Sequence, residues 1–241
     1  GRVGALSPYA YCAGDPVNLV DPTGMYTYTI NPKIGKIVQS GDLGDYDEVK
    51  IEGSSQDPLR VNHVEGKSIL DGLQGEGDGN TTSVSSTSDQ LIDVFLYVAS
   101  NENMDIEWSL QIGTKGNKET FALGTSGRYN AVDAPKIEKD QSLSDIWLKM
   151  HFHPDPKHGT KGGSPEDISI FKNIYNDQPS ASAPLHLVCN NNMVYLYNGY
   201  LQSIPGLERP ASKFKATLRG YKGYYELQKK YNYVHYGKPK K

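Results

Sequence analysis

Apolar and polar positions alternate strictly along Ile106-Glu107-Trp108-Ser109-Leu110-Gln111-Ile112, which puts Ile106, Trp108, Leu110 and Ile112 on one face of a strand. A Gly/Lys/Asn turn leads from there into a second strand over residues 119–123, so the pair predicts a hairpin. A third strand follows at 147–153. Side chains two apart in a strand share a face, so Leu148, Met150 and Phe152 point to the core while His151 and His153 project together on the other side. Residues 164–176 predict a helix, with Ser164 as N-cap and Pro165 at its first position. A last hairpin joins 185–189 to 193–197 through Asn190-Asn191-Asn192. The apolar run 91–99 fits either a strand or a short helix.

Ahead of this block the pattern is different. Residues 1–25 are dense in turn formers: Ser7-Pro8, Gly14-Asp15-Pro16 and Asp21-Pro22-Thr23-Gly24. From Met25 to about Lys67, short β-like runs such as Tyr26-Thr27-Tyr28-Thr29-Ile30 and Lys36-Ile37-Val38 alternate with Gly/Asp turns. The stretch 71–90, DGLQGEGDGNTTSVSSTSDQ, has little to fill a core and predicts an exposed loop or flexible linker. The organisation expected is therefore a β-rich extension at 26–70, a linker at 71–90, a main domain at 91–205 and a tail at 206–241. Strands flanking a helix place the main domain in the α/β (α+β) class.

Composition narrows the chemistry. The chain has 241 residues, 37% of them apolar, and a mean hydropathy of -0.59. No apolar stretch approaches a membrane span, and no charged-then-apolar leader opens the sequence, so neither a membrane partner nor a signal peptide is expected in this fragment. Cys12 and Cys189 are the only cysteines and form no C-x-x-C pair, which argues against a disulfide framework and a thiolate zinc site. A metal here must be held by histidine and carboxylate. The net charge of -3 hides a division: from Gly206 onward ten Lys/Arg face two acids, a net of +8, which leaves -11 on the rest. Such segregation fits a tail docking on an acidic surface, its own or a partner's. Six tyrosines from Tyr221 to Tyr236 interleave with the tail's basic residues, a composition that also fits nucleic-acid binding.

One run carries distinct chemistry: Met150-His151-Phe152-His153-Pro154, ten residues after His153, then Ser164-Pro165-Glu166-Asp167. Two imidazoles side by side on a strand are half of a tetrahedral zinc site, and Asp167, one turn into the predicted helix, can supply a third ligand. Three protein ligands with one open position is the catalytic pattern rather than the structural one. Each piece has a plainer explanation. Ser164 and Asp167 at S-x-x-D spacing make an ordinary helix cap, and a lone H-x-H on a strand is often incidental. The joint pattern is rare by chance in a chain with 6 histidines, and cap and ligand are compatible roles.

The pattern H-x-H, ten residues, S-x-x-D resembles the signature of the JAMM (JAB/MPN-domain) zinc metalloproteases. That resemblance implies a JAB/MPN-like mixed β-sheet with flanking helices, Zn2+ as cofactor, and His151, His153 and Asp167 as its ligands. It also implies a glutamate acting as general base on the zinc-bound water, and Ser164 stabilising the oxyanion of a tetrahedral intermediate. Glu107 is the candidate base. It lies on the polar face with Ser109 and Gln111, and its E-x-x-L-x-x-G context through Gly113 is similar to the family's first-strand glutamate. Glu119 and Glu102 are the alternatives, and a solvated strand-face carboxylate is the plainer account of Glu107. His158 falls in the loop between the ligands, His186 opens the last hairpin, and His63 and His235 have no partners by sequence.

A second resemblance covers only the start. Tyr9-Ala10-Tyr11, then Asp15-Pro16-Val17-Asn18-Leu19-Val20-Asp21-Pro22-Thr23-Gly24, is similar to the end of an Rhs repeat-associated core, with Asp15 where that family has asparagine. The resemblance implies that residues 1–25 close a β-cage in the parent chain, that Asp21 matches an aspartate implicated in self-cleavage, and that the downstream region is a toxin domain. Asp21 is equally an ordinary member of a Pro/Gly turn cluster.

Together these readings predict an enzyme, a zinc-dependent peptide or isopeptide hydrolase serving as the effector of a polymorphic Rhs-type toxin. A secretion system would deliver it into a target cell, where it meets a protein substrate and a cognate immunity protein. Two other readings compete: a metal-dependent nuclease toxin gripping nucleic acid with the basic tail, and a non-catalytic MPN-like binding module.

Overall fold

In the computed structural model, residues 25–41, 44–77, 79, 82–115, 118–128, 146–154, 185–190, 193–197 and 209–210 are described. They form two sheets with a helix between them. The smaller sheet holds β1 (Tyr26–Ile30), β2 (Ile37–Gly41), β3 (Tyr46–Ile51) and β4 (Leu59–Asn62), in the order β2-β1-β3-β4. β1 and β2 are an antiparallel hairpin, β1 and β3 run parallel, and β4 returns antiparallel on β3. Period-2 alternation turns Tyr28, Ile30, Val49, Ile51 and Val61 inward.

The larger sheet has the order β11-β10-β9-β8-β6-β7-β5. Its strands are β5 (Thr82–Ser86), β6 (Trp108–Lys115), β7 (Lys118–Thr125), β8 (Ile146–His153), β9 (Leu185–Asn190), β10 (Met193–Tyr197) and β11 (Arg209–Pro210). Both predicted hairpins are present, as β6–β7 and β9–β10. β8 is antiparallel to β6 but parallel to β9. A parallel step needs a crossover, and the 31 residues between β8 and β9 are ample for one. The helix expected at 164–176 belongs to that interval and lies outside the described residues, as do residues 1–24 with Asp21, His158, His235 and nearly all of the basic tail.

Between the sheets lies α1 (Gln90–Ala99), in contact with β4 on one side and with β6 and β7 on the other. Its sequence was ambiguous because it is apolar nearly all round, and the packing explains why. A helix sandwiched between two sheets buries Leu91, Ile92, Val94, Phe95, Leu96, Tyr97 and Val98 and has almost no solvent face to write in polar residues. One contiguous core runs from Tyr28 and Ile30 through α1 to Trp108, Leu110, Met150 and Phe152.

The stretch 71–90 departs from the linker expected of it. Leu73 is fully buried, Gly75 exchanges two backbone hydrogen bonds with Ile37 at the edge of β2, and Thr82–Ser86 pairs with β7 as an edge strand of the larger sheet. Thr82 and Val84 point in while Ser83 and Ser85 point out. Small hydroxyl side chains satisfy a half-exposed edge strand as well as they satisfy a loop, so richness in Ser and Thr concealed a period-2 pattern.

Candidate functional site

β8 brings the histidines to the sheet's centre. Leu148, Met150 and Phe152 enter the core, as their alternation requires, and His151 is turned to the opposite face together with Lys149. That face is polar and yet buried: Ser109, Gln111, Lys149 and His151 are all less than a tenth exposed. The pairing of β6 with β8 sets Ser109 directly opposite His151, and Gln111 opposite Lys149. Ser109 Oγ is buried with no hydrogen-bond partner among the described residues.

Glu107 stands one residue before β6 and two before Ser109, partly exposed between the fully buried Ile106 and Trp108. Continuing the Ser109–His151 register by two residues brings Glu107 level with His153. The candidate base and the H-x-H pair therefore occupy the same end of adjacent strands, about one interstrand spacing (~5 Å) apart at the backbone. This is also the C-terminal end of β8 and of its parallel neighbour β9, beside the N-terminal end of the antiparallel β6. Sites of α/β sheets form at such ends. The alternative glutamates are placed elsewhere. Glu119 pairs with Thr114 toward the hairpin end of β6 and β7, and Glu102 is exposed in the loop after α1.

The backbone of Glu107 is held from both sides. Its N–H donates to Arg128 O at 2.9 Å, and its carbonyl accepts from Thr125 Oγ1 at 2.7 Å. Strand alternation also places Lys149, a residue that the H-x-H pattern alone does not single out, on the face of His151. Burial pushes its ammonium below the ordinary lysine range, since removal from water disfavours the charged form.

His63, which had no sequence partner, has one in space. Its Nε2 lies 2.8 Å from Asp47 Oδ1, and Ser68 Oγ donates to Asp47 Oδ2. Tyr28 Oη stands 3.3 Å from Ser68 Oγ. Ser68 has given its one proton to Asp47, so Tyr28 is the donor of that pair, and burial, foremost, pushes its phenol up to about 12. This network knits the small sheet and lies apart from the H-x-H strand. His186, the second residue of β9, pairs in register with Lys149.

As a metal centre, the donors on β8 are of the right kind: two imidazoles in an H-x-H on one strand, the nitrogen half of a His/carboxylate zinc set. Ser164 and Asp167 lie outside the described residues, and no group of three or more His, Cys, Asp or Glu gathers among the residues that are described. No helix among them is long and apolar enough to cross a membrane.

Against known families, residues 83–178 match the model of one described as JAB-like toxin 1. The matched range opens within β5, takes in α1 and β6 to β8, and ends beyond Asp167. No curated protein and no solved structure matches the chain.

Proposed function

Residues 83–178 form a JAB/MPN-like toxin domain, and from that premise we propose that the domain is a zinc-dependent peptidase hydrolysing a peptide or isopeptide bond in a protein of the target cell. The observation that supports the reading is the register of β6 on β8, which sets Ser109 opposite His151 and, continued by two residues, Glu107 level with His153. Held by His151, His153 and Asp167, Zn2+ would supply Lewis acidity and bring a water's pKa toward ~7.

The chain's own residues do the rest. Glu107 takes the proton from the attacking water as its oxygen bonds to the scissile carbonyl carbon. It then returns that proton to the departing amine as the C–N bond breaks, and the water's second proton, left on the new carboxyl group, passes to the amine to give a carboxylate and an ammonium. Ser164 donates to the developing oxyanion, an interaction worth about 3 kcal/mol when the donor is well aimed. The buried polar face of Ser109, Gln111, Lys149 and His151 lowers the local dielectric on one side of this chemistry, which strengthens electrostatic interactions there. The Rhs-like opening supports delivery as the released end of a larger cage-forming toxin, with a cognate immunity protein in the producing cell.

Two substitutions and one metal measurement test the reading. His153→Ala should remove bound zinc together with toxicity in a cell that expresses the domain. Glu107→Gln should retain zinc and lose toxicity by roughly 10²–10⁴-fold, the usual contribution of a general base. New protein termini should appear in cells expressing the wild type and be absent with Glu107→Gln. Toxicity that survives both substitutions sinks the proposal, and chelator-sensitive cleavage of plasmid DNA would transfer it to a nuclease.

A further inference from the structure

Glu107 sits where its strand should fray. The β6–β7 ladder ends at the pair Trp108–Thr125, and Glu107 is one residue beyond it. A chain leaving a sheet at that point ordinarily gives up its hydrogen bonds to water and gains freedom. Here it does neither, and the reason is a single side chain. Thr125 Oγ1 gives its one proton to the Glu107 carbonyl at 2.7 Å and accepts the Gly127 N–H at 3.0 Å. The second bond curls the chain after β7, with Gly127 in the left-handed region at φ 65°, so that the Arg128 carbonyl returns to accept the Glu107 N–H. Thr125 itself is 1% exposed, and the bond it accepts from Gly127 is buried, which raises that bond's strength.

The small sheet braces the same point. The turn between β1 and β2 lies against it so closely that a Cβ on Gly35 would come 2.7 Å from Gly127 Cα and 2.8 Å from Ile106 Cδ1. From the same turn the Pro32 carbonyl accepts the Asp105 N–H at 2.9 Å. Fixing the peptide groups on both sides of Glu107 fixes its Cα–Cβ direction.

We propose that Thr125 is the positioning residue for Glu107, setting the glutamate's peptide frame against the H-x-H strand through its hydroxyl. The inference rests on Glu107 being the proton acceptor proposed above. Thr125 touches no substrate; it acts through the residue it holds. Since a displacement of about 1 Å can lower a rate by roughly 10²-fold, loss of the hydroxyl should register in activity well before it registers in folding.

The test compares Thr125→Val, which keeps the shape and loses the hydroxyl, with Thr125→Ser, which keeps the hydroxyl. Titrated expression reads growth inhibition per folded molecule, and amide hydrogen exchange reads the backbone. Thr125→Val should need at least ~10-fold more protein for equal inhibition, with zinc content unchanged and faster exchange at Glu107 and Gly127. Thr125→Ser should recover most of the potency and the slow exchange. In a Glu107→Asp background, where the carboxylate is already displaced, Thr125→Val should cost much less than it does alone, because the two changes act on one element.

If Thr125→Val does not fold, Thr125→Ala is read by the same criteria. Equal potency of the Val and Ser variants overturns the inference, as does a Val penalty that is undiminished beside Glu107→Asp. The underlying reading fails separately, through Glu107→Gln that remains toxic.

Discussion

Glu119 shows how a single side chain can burden this fold. Its carboxyl stands on β7 near Asp89, and Oε1 is buried without a hydrogen-bond partner among the described residues. Burial first, and the Asp89 charge second, push it above the ordinary value of 4.5. A raised acid favours the folded state only while protonated, so its contribution is fullest below pH 4.5 and is lost as pH rises through the raised value. Glu119→Gln should therefore leave the melting temperature nearly unchanged at pH 4 and raise it by roughly 1–3 °C at pH 7. A gain of equal size at both values would contradict the electrostatic cause. His63 and Asp47 make a complementary point about legibility. They are 16 residues apart and meet only because β3 and the end of β4 are neighbours, so no local pattern announces them. By contrast, turning His151 away from the core-facing Met150 and Phe152 needs only the period of a strand, and is readable for that reason. The tethering of Glu107 was not readable, since its hydroxyl comes from the far strand of a hairpin.

Among the elements, the strands with a clear two-sided environment were legible and those with an unusual one were not. β6 has an apolar face on the core and a polar face beside β8, and it alternates without exception from Trp108 to Gln111. α1 has sheets on both sides, so its apolar run carried no helical stripe. β5 sits at an edge and contributes one buried valine, Val84, amid serines. The position of α1 has a mechanical consequence. Phe95 is fully buried within the core that reaches both sheets, and Phe95→Ala should cost about 3–5 kcal/mol, the usual loss for a buried ring. Native-state hydrogen exchange should show the amides of β1, β3, β6 and β7 losing protection by similar amounts. Loss confined to β6 and β7 would mean that the small sheet is stabilised independently of the helix.

At the level of the whole molecule, the described parts of the two sheets share one core, which predicts that they unfold together. Residues Tyr28 to Leu73 and Val84 to Phe152 contribute to the same contiguous core, and further ties reinforce it. Asn101 Nδ2 donates to Ser54 Oγ at 2.7 Å and to Gln56 Oε1 at 2.8 Å, joining the end of α1 to the β3–β4 connection. Asn62 N–H donates to Gln90 Oε1 at 2.7 Å, and Gln90 Nε2 returns to the Asn62 carbonyl at 3.1 Å. A chain beginning at residue 83 should accordingly lose cooperative thermal unfolding and bind a hydrophobic dye, because β1–β4 and the segment around Leu70 and Leu73 cover apolar surface that the remainder cannot hide. A sharp single transition from that shorter chain would show that the small sheet is dispensable.

The contact of Gly35 with Gly127 carries this to the question of what is portable. The family resemblance starts at residue 83, yet the brace behind Glu107 comes from residues 32 and 35. The recognisable length and the working length of this domain are thus different quantities. Anyone transplanting the domain onto another carrier should cut ahead of β1, because a graft made at the edge of the resemblance would carry Glu107 and the H-x-H strand but leave behind the turn that packs on Ile106 and Gly127.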